Sequence, residues 1–107
     1  MTKYIFIYKV NEAYDLSTLP EPEVKKMLEL WDAFFESLGS AVVDKGQQFK
    51  FGGKSVSQSG VKDADNLLVG FSIIEAKDFD GALEKAKNVP SVLGGQGTVE
   101  IYEAFGA

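Results

Sequence analysis

Carboxylates, tyrosines and hydroxyls are the groups through which this sequence could do chemistry, because it contains no histidine and no cysteine. All 11 basic residues are lysines, so arginine is absent as well. These absences exclude a thiol nucleophile, a histidine base, a Cys/His metal site and a bidentate arginine clamp. Glu100 is the leading catalytic candidate, since a carboxylate held in a partly apolar cleft can act as a general base. A solvated or lysine-paired glutamate on a strand is the alternative.

Three further residues are candidates for a ligand pocket. Tyr8 and Tyr102 combine an apolar ring with a polar tip, which suits both pockets and subunit interfaces. Ser72 offers a lone hydroxyl, but no histidine is present to activate it as a nucleophile. The residue types therefore predict a cleft for a small organic ligand, lined by these three side chains and Glu100.

Two polar or glycine-rich segments do not match known ligand motifs. Asp63, Asp65 and Asn66 suggest a cation loop, but a calcium-binding EF-hand counted from Asp63 needs glycine and glutamate where Leu68 and Ile74 stand. The glycines at 94, 95 and 97 precede a strand and no Lys-Ser/Thr pair follows them, so they do not form a phosphate loop. We expect neither a metal nor a cofactor.

Charge and length restrict the class of protein further. The 107 residues carry 16 acidic side chains against 11 lysines, a formal net charge of −5, which disfavours nucleic acids and anionic membranes as partners. No apolar run approaches the roughly 20 residues that span a bilayer. The lack of cysteine is consistent with a reducing cytoplasm. We expect one cytoplasmic domain covering residues 1–107.

The hydrophobic pattern predicts the order β-α-β-β-α-β. Strands are predicted at 3–10, 47–57, 68–76 and 98–105. A first helix is predicted to begin at a Thr18–Glu21 capping box or at Pro22 and to reach about Asp44, with Trp31 in its core stripe. A second helix is predicted from a cap at Asp78 to a stop at Pro90. This order defines an α+β, ferredoxin-like four-stranded antiparallel sheet with both helices on one face.

Side-chain parity predicts an aromatic patch on the other sheet face. If Val99 and Ile101 face the helices together with Ile5 and Ile7, the uncovered face carries Tyr4, Phe6, Tyr8, Glu100 and Tyr102. A monomer rarely leaves such a patch in water, so we expect a two-fold homodimer with Tyr4 and Phe6 in its interface.

The segment VGFSIIEAKDFDGALEKAKNVP, followed by GGQGTVEIYEAF, resembles the YCII-related (DGPF) domain family. KYIFIYKV and the WDAFF helix are similar to the first half of that family. The resemblance implies a dimeric α/β barrel with a cleft between sheets and helices. It also implies that Glu100 corresponds to a glutamate of the family pattern. A few members look like lactone isomerases by fold, which is an analogy only.

The sequence departs from the family at functional positions. The Asp-Gly-Pro-Phe loop falls on residues 58–61, which places Gln58 as a ligand-binding candidate. The family's His–Asp pair has no counterpart, because histidine is absent and Val89 precedes Pro90. Three functions remain open: a ligand-binding homodimer, a cofactor-free lactone isomerase-like or monooxygenase-like enzyme with Glu100 as base, and a structural or regulatory dimer without a ligand.

Overall fold

A computed structural model describes residues 1–106 of the chain. Over this range the secondary structure follows in the order β1 (Thr2–Val10), α1 (Glu21–Leu38), β2 (Val42–Asp44), β3 (Lys54–Ser57), β4 (Gly60–Asp63), β5 (Leu68–Ala76), α2 (Phe79–Ala86), α3 (Pro90–Leu93) and β6 (Gly97–Glu103). Short 3-10 turns at Leu16–Thr18 and Gly39–Ala41 flank α1.

Four of the strands form one antiparallel sheet in the order β2-β5-β1-β6. The long strand β1 is central and pairs with β5 on one side and with β6 on the other. Strand β2 contributes only three residues at one edge. Two crossovers through α1 and α2 interleave in this order, which is the ferredoxin-like α+β arrangement. The predicted fold class is therefore confirmed.

Helix α1 begins and ends where its sequence supplies the signals. Pro22 lies in the first turn, and Glu21 and Glu23 place negative charge at the N-terminal end of the helix dipole. Gly39 ends the helix, because it adopts a positive φ of 55°. The prediction that this helix reaches Asp44 is wrong, since Val42 already belongs to β2 and pairs with Ile74.

The segment between β2 and β5 forms a hairpin that stands apart from the main sheet. Strands β3 and β4 pair only with each other, with Val56 opposite Val61. We call residues 54–63 the β3–β4 arm. Asn66 closes its base, because its Oδ1 accepts the backbone N–H groups of Gly52 and Gly53, each at 3.0 Å. The predicted strand at 47–57 is confirmed only over Lys54–Ser57, since in its first half only Gln48 makes an isolated bridge to the sheet.

The core lies between the helices and one face of the sheet, and it contains Tyr4, Phe6 and Tyr8, each at most 4% exposed. The Tyr8 ring meets Trp31 of α1 edge-on at 4.7 Å between centroids. The Tyr4 ring meets Phe79 of α2 in the same way at 5.2 Å. The prediction that these three aromatics lie on the uncovered face is therefore wrong. Tyr4 and Phe6 have almost no surface to offer to a second subunit.

Cross-strand register explains this reversal. Val99 lies directly opposite Tyr8, and Ile101 opposite Phe6, so each pair shares one face of the sheet. The prediction that Val99 and Ile101 face the helices is confirmed, and the β1 aromatics lie beside them. The other face, which we call the open face, carries alternate residues of the long strands: Ile5, Ile7, Phe71, Ile73, Glu100 and Tyr102.

The second helix begins at the cap that the sequence predicts. Asp78 caps α2, because its side chain accepts the backbone N–H of Gly81 at 2.8 Å. Helix α2 ends at Ala86, and Pro90 begins the single-turn helix α3. No helix within residues 1–106 is long and apolar enough to cross a membrane.

Candidate functional site

A cleft of about 920 Å³ opens between α1 and the helix-facing side of the sheet. The loop after β1, the loop after β2 and the start of α3 complete its walls. Its apolar lining includes Val10, Met27, Trp31, Phe35 and Val69. A volume of this size is in the range of sites that hold small organic molecules. Apolar walls favour an apolar or aromatic ligand body.

Tyr8 lines this cleft from β1, the strand at the centre of the sheet. Burial raises the pKa of the Tyr8 hydroxyl to about 12. The phenol is therefore protonated at neutral pH. No group in the described chain is positioned as a hydrogen-bond partner for its Oη atom. Buried hydroxyls without partners are rare in folded proteins.

Ser91 in α3 is a second residue of the cleft lining that carries a hydroxyl of the same kind. Its Oγ is buried and has no hydrogen-bond partner among the described residues. Over residues 1–106, Ser91 and Tyr8 are the two residues with a buried, unpaired side-chain polar atom, and both line the cleft. Both side-chain hydroxyls that lack a hydrogen-bond partner in the described residues therefore belong to residues of this one cleft.

Ser72 lies near Tyr8 but has a different role from the one predicted. The side chain is fully buried, and its hydroxyl donates to the carbonyl oxygen of Lys45 at 2.7 Å. This bond joins β5 to the loop after β2, which forms one wall of the cleft. Because its proton is engaged, Ser72 holds the wall in place rather than offering a free donor to a ligand.

The remaining predicted site residues lie elsewhere. Glu100 is on the open face, half-exposed, with its carboxylate 3.9 Å from the Lys9 ammonium group. Tyr102 is on the same face and is 57% exposed. Gln58 lies in the turn of the β3–β4 arm and is exposed. The structure therefore does not bring Glu100, Tyr102 and Gln58 together with Tyr8 and Ser72, so the predicted single cleft is wrong.

The charged residues of the cleft nearly balance one another. Its lining includes Glu12, Glu23 and Asp32 with Lys26 and Lys45. Among residues 1–106, no group of three or more acidic side chains is placed to hold a metal ion.

Sequence reasoning missed two residues of this site. Helical periodicity indicates Trp31 as a core residue, but the same indole also lines the cleft. Ser91 has no motif around it, and only its placement beside α1 in three dimensions makes it part of the site. An isolated serine after a proline gives no signal that could have identified it.

The fold and the cleft define a ferredoxin-like α+β protein with an internal site of small-molecule size. No protein-family model and no curated protein matches the chain. A solved structure with this fold is 5-chloro-2-hydroxyhydroquinone dehydrochlorinase (TftG) from Burkholderia phenoliruptrix AC1100, in complex with 2,5-dihydroxybenzoquinone. The TM-score is 0.51 at 17% sequence identity, over 92% of this chain and 90% of that one. At this identity the likeness shows a shared fold.

Proposed function

We propose that this protein binds a small organic molecule in the cleft between α1 and the sheet. The observation that carries the proposal is the coincidence of an apolar cleft of about 920 Å³ with the unpaired hydroxyls of Tyr8 and Ser91. Apolar walls with a few polar groups are the general composition of ligand sites. The complex of TftG with a dihydroxybenzoquinone supports a small ring compound as the ligand.

Trp31 provides a direct test, because it is the single tryptophan of the chain and it lines the cleft. Titration with phenols and quinones, 2,5-dihydroxybenzoquinone among them, is expected to change the indole fluorescence in a saturable way. V69F places a larger side chain in the cleft wall and should weaken binding at least tenfold. The matched control V56F lies on the exposed β3–β4 arm and should bind normally. Equal binding by both variants would place the ligand elsewhere.

We also propose a homodimer of the YCII-related type, formed through the open face. Ile5, Ile7, Phe71 and Ile73 are partly buried there, and each isoleucine of β1 lies opposite an apolar residue of β5. A contiguous apolar surface of this kind favours association, and two-fold pairing is its simplest form. The support comes from the open face itself, not from the buried Tyr4 and Phe6.

An enzymatic role is the second candidate, favoured by the dehydrochlorinase activity that the name of TftG states. In this alternative Glu100 acts as a base in proton-transfer chemistry after a second subunit covers the open face. E100Q would then abolish turnover of a lactone substrate, whereas E103Q, three residues further along β6, would retain it. A pH–rate profile without a carboxylate-range pKa would contradict the Glu100 mechanism.

A further inference from the structure

We infer, on the basis of the proposed ligand-binding function, that the ligand is a ring compound without strong negative charge, whose oxygen atoms pair with the hydroxyls of Tyr8 and Ser91. Tyr8 donates to an acceptor oxygen of the ligand, and Ser91 contacts a second polar atom. Neither hydroxyl has a partner within the described structure, although both are buried. Each is therefore a hydrogen bond that the unliganded protein leaves unmade at a cost.

The direction of the Tyr8 hydrogen bond follows from its neighbours. Ser72 donates its proton to the carbonyl oxygen of Lys45, so it could pair with Tyr8 only as an acceptor, and the two hydroxyls form no hydrogen bond in the structure. Tyr8 remains protonated at neutral pH. A protonated phenol with a free proton selects an acceptor, such as a ketone, quinone or phenol oxygen, rather than an ammonium group.

Ring shape and charge narrow the ligand class further. The rings of Tyr8 and Trp31 meet edge-on with 4.7 Å between their centroids, and the ring centroids of Phe35 and Trp31 are 6.0 Å apart. The Tyr8 hydroxyl has almost no exposed surface, so a ligand reaches it only after a neighbouring side chain moves. The lining holds three carboxylates against two lysines, and the whole chain carries −5. This field favours neutral ligands over strongly anionic ones.

Two probe compounds of similar shape separate the contribution of hydrogen bonds to the binding affinity from the contribution of apolar contacts. 4-Hydroxyacetophenone carries oxygen at both ends of its ring, whereas 4-ethyltoluene carries none. Isothermal titration calorimetry should show the ketone binding at least tenfold more tightly. Y8F and S91A should each weaken ketone binding about 5- to 30-fold and leave hydrocarbon binding unchanged.

Matched controls remove only hydroxyls outside the cleft. Y4F alters a buried tyrosine of the same strand, and S57A alters an exposed serine of the β3–β4 arm; neither residue lines the cleft. Circular dichroism and the thermal midpoint should show that Y8F is folded, since phenylalanine fills the same space.

The outcomes distinguish the two levels of the proposal. If wild type binds neither probe and no other phenol or quinone, the proposed function and this inference both fail. If wild type binds both probes equally and Y8F binds the ketone like wild type, the ligand-binding cleft stands and the assignment of Tyr8 is overturned. A ketone affinity lost in Y8F but not in S91A would overturn the second contact alone.

Discussion

The hydroxyl of Ser72 donates to the carbonyl oxygen of Lys45 at 2.7 Å, across 27 positions of sequence. This bond joins the centre of β5 to the loop that forms one wall of the cleft. The same bond uses the only proton that Ser72 has, so Ser72 cannot also donate to the Tyr8 hydroxyl, which has no hydrogen-bond partner among the described residues. The Ser72–Lys45 hydrogen bond therefore holds the cleft wall in place and, at the same time, keeps the Ser72 proton away from the Tyr8 hydroxyl.

Replacement of Ser72 by alanine should lower the free energy of unfolding by about 0.5–1.5 kcal/mol, because the part-buried hydrogen bond to the Lys45 carbonyl would be lost. Chemical denaturation measures this change. S57A removes an exposed hydroxyl and should stay within about 0.5 kcal/mol of wild type. Equal stabilities for S72A and wild type would show that the bond contributes nothing.

Tyr8 should make the protein less stable at high pH. Its pKa is about 12 in the folded chain against an ordinary value of 10.0, so unfolded chains lose this proton first as the pH rises. Stability is fully retained below pH 10 and falls between about pH 10 and 12, by at most about 1.4 kcal/mol per pH unit. The slope should shrink in Y8F. An unchanged slope would mean that Tyr8 titrates normally.

Gly46 should not tolerate alanine. Its φ is 75°, and an added Cβ would overlap the carbonyl oxygen of Phe71 in β5. Backbone strain and the clash together should cost at least about 2 kcal/mol in G46A. G53A is the control, since that Cβ would make ordinary contact with Ala64 at 3.5 Å. Thermal or urea unfolding of both variants decides whether this loop is as tightly fitted as the structure indicates.

The open-face dimer predicts a mass near twice the 11.7 kDa of one chain in sedimentation equilibrium. I73E places a charge beside Ile5 at the centre of that face and should yield a folded monomer. V56E, on the β3–β4 arm, should leave the assembly unchanged. A wild-type monomer would contradict the proposal directly.

Local signals in the sequence were sufficient to predict the order of the main elements. The alternation in residues 3–10, the Asp78 cap and the proline after α2 each act within a few residues, so they predict the first strand and the second helix. The end of α1 was harder to predict. Val42 continues the helical spacing of Leu38, but it is apolar because it pairs with Ile74 in the sheet.

The candidate site could not be predicted as well, because it depends on which face each strand presents. Ile5 and Ile7 are as apolar as Tyr4, Phe6 and Tyr8, so hydrophobicity does not decide between the two faces of β1. Pairing of Val99 with Tyr8 decides it, and that register is a long-range property. Side-chain parity alone therefore predicts Glu100 and Tyr8 on one face, although the sheet separates them.

The β3–β4 arm is a segment in which the sequence can gain or lose residues during evolution. Its strands pair only with each other, and the Asn66 side chain closes the base where the arm leaves the body. Insertions or deletions within residues 54–63 would change the reach of the arm without altering the register of β1, β5 or β6. Loops that vary in this way cost little in closure entropy as they lengthen. Differences in length among homologous chains should therefore concentrate in this segment.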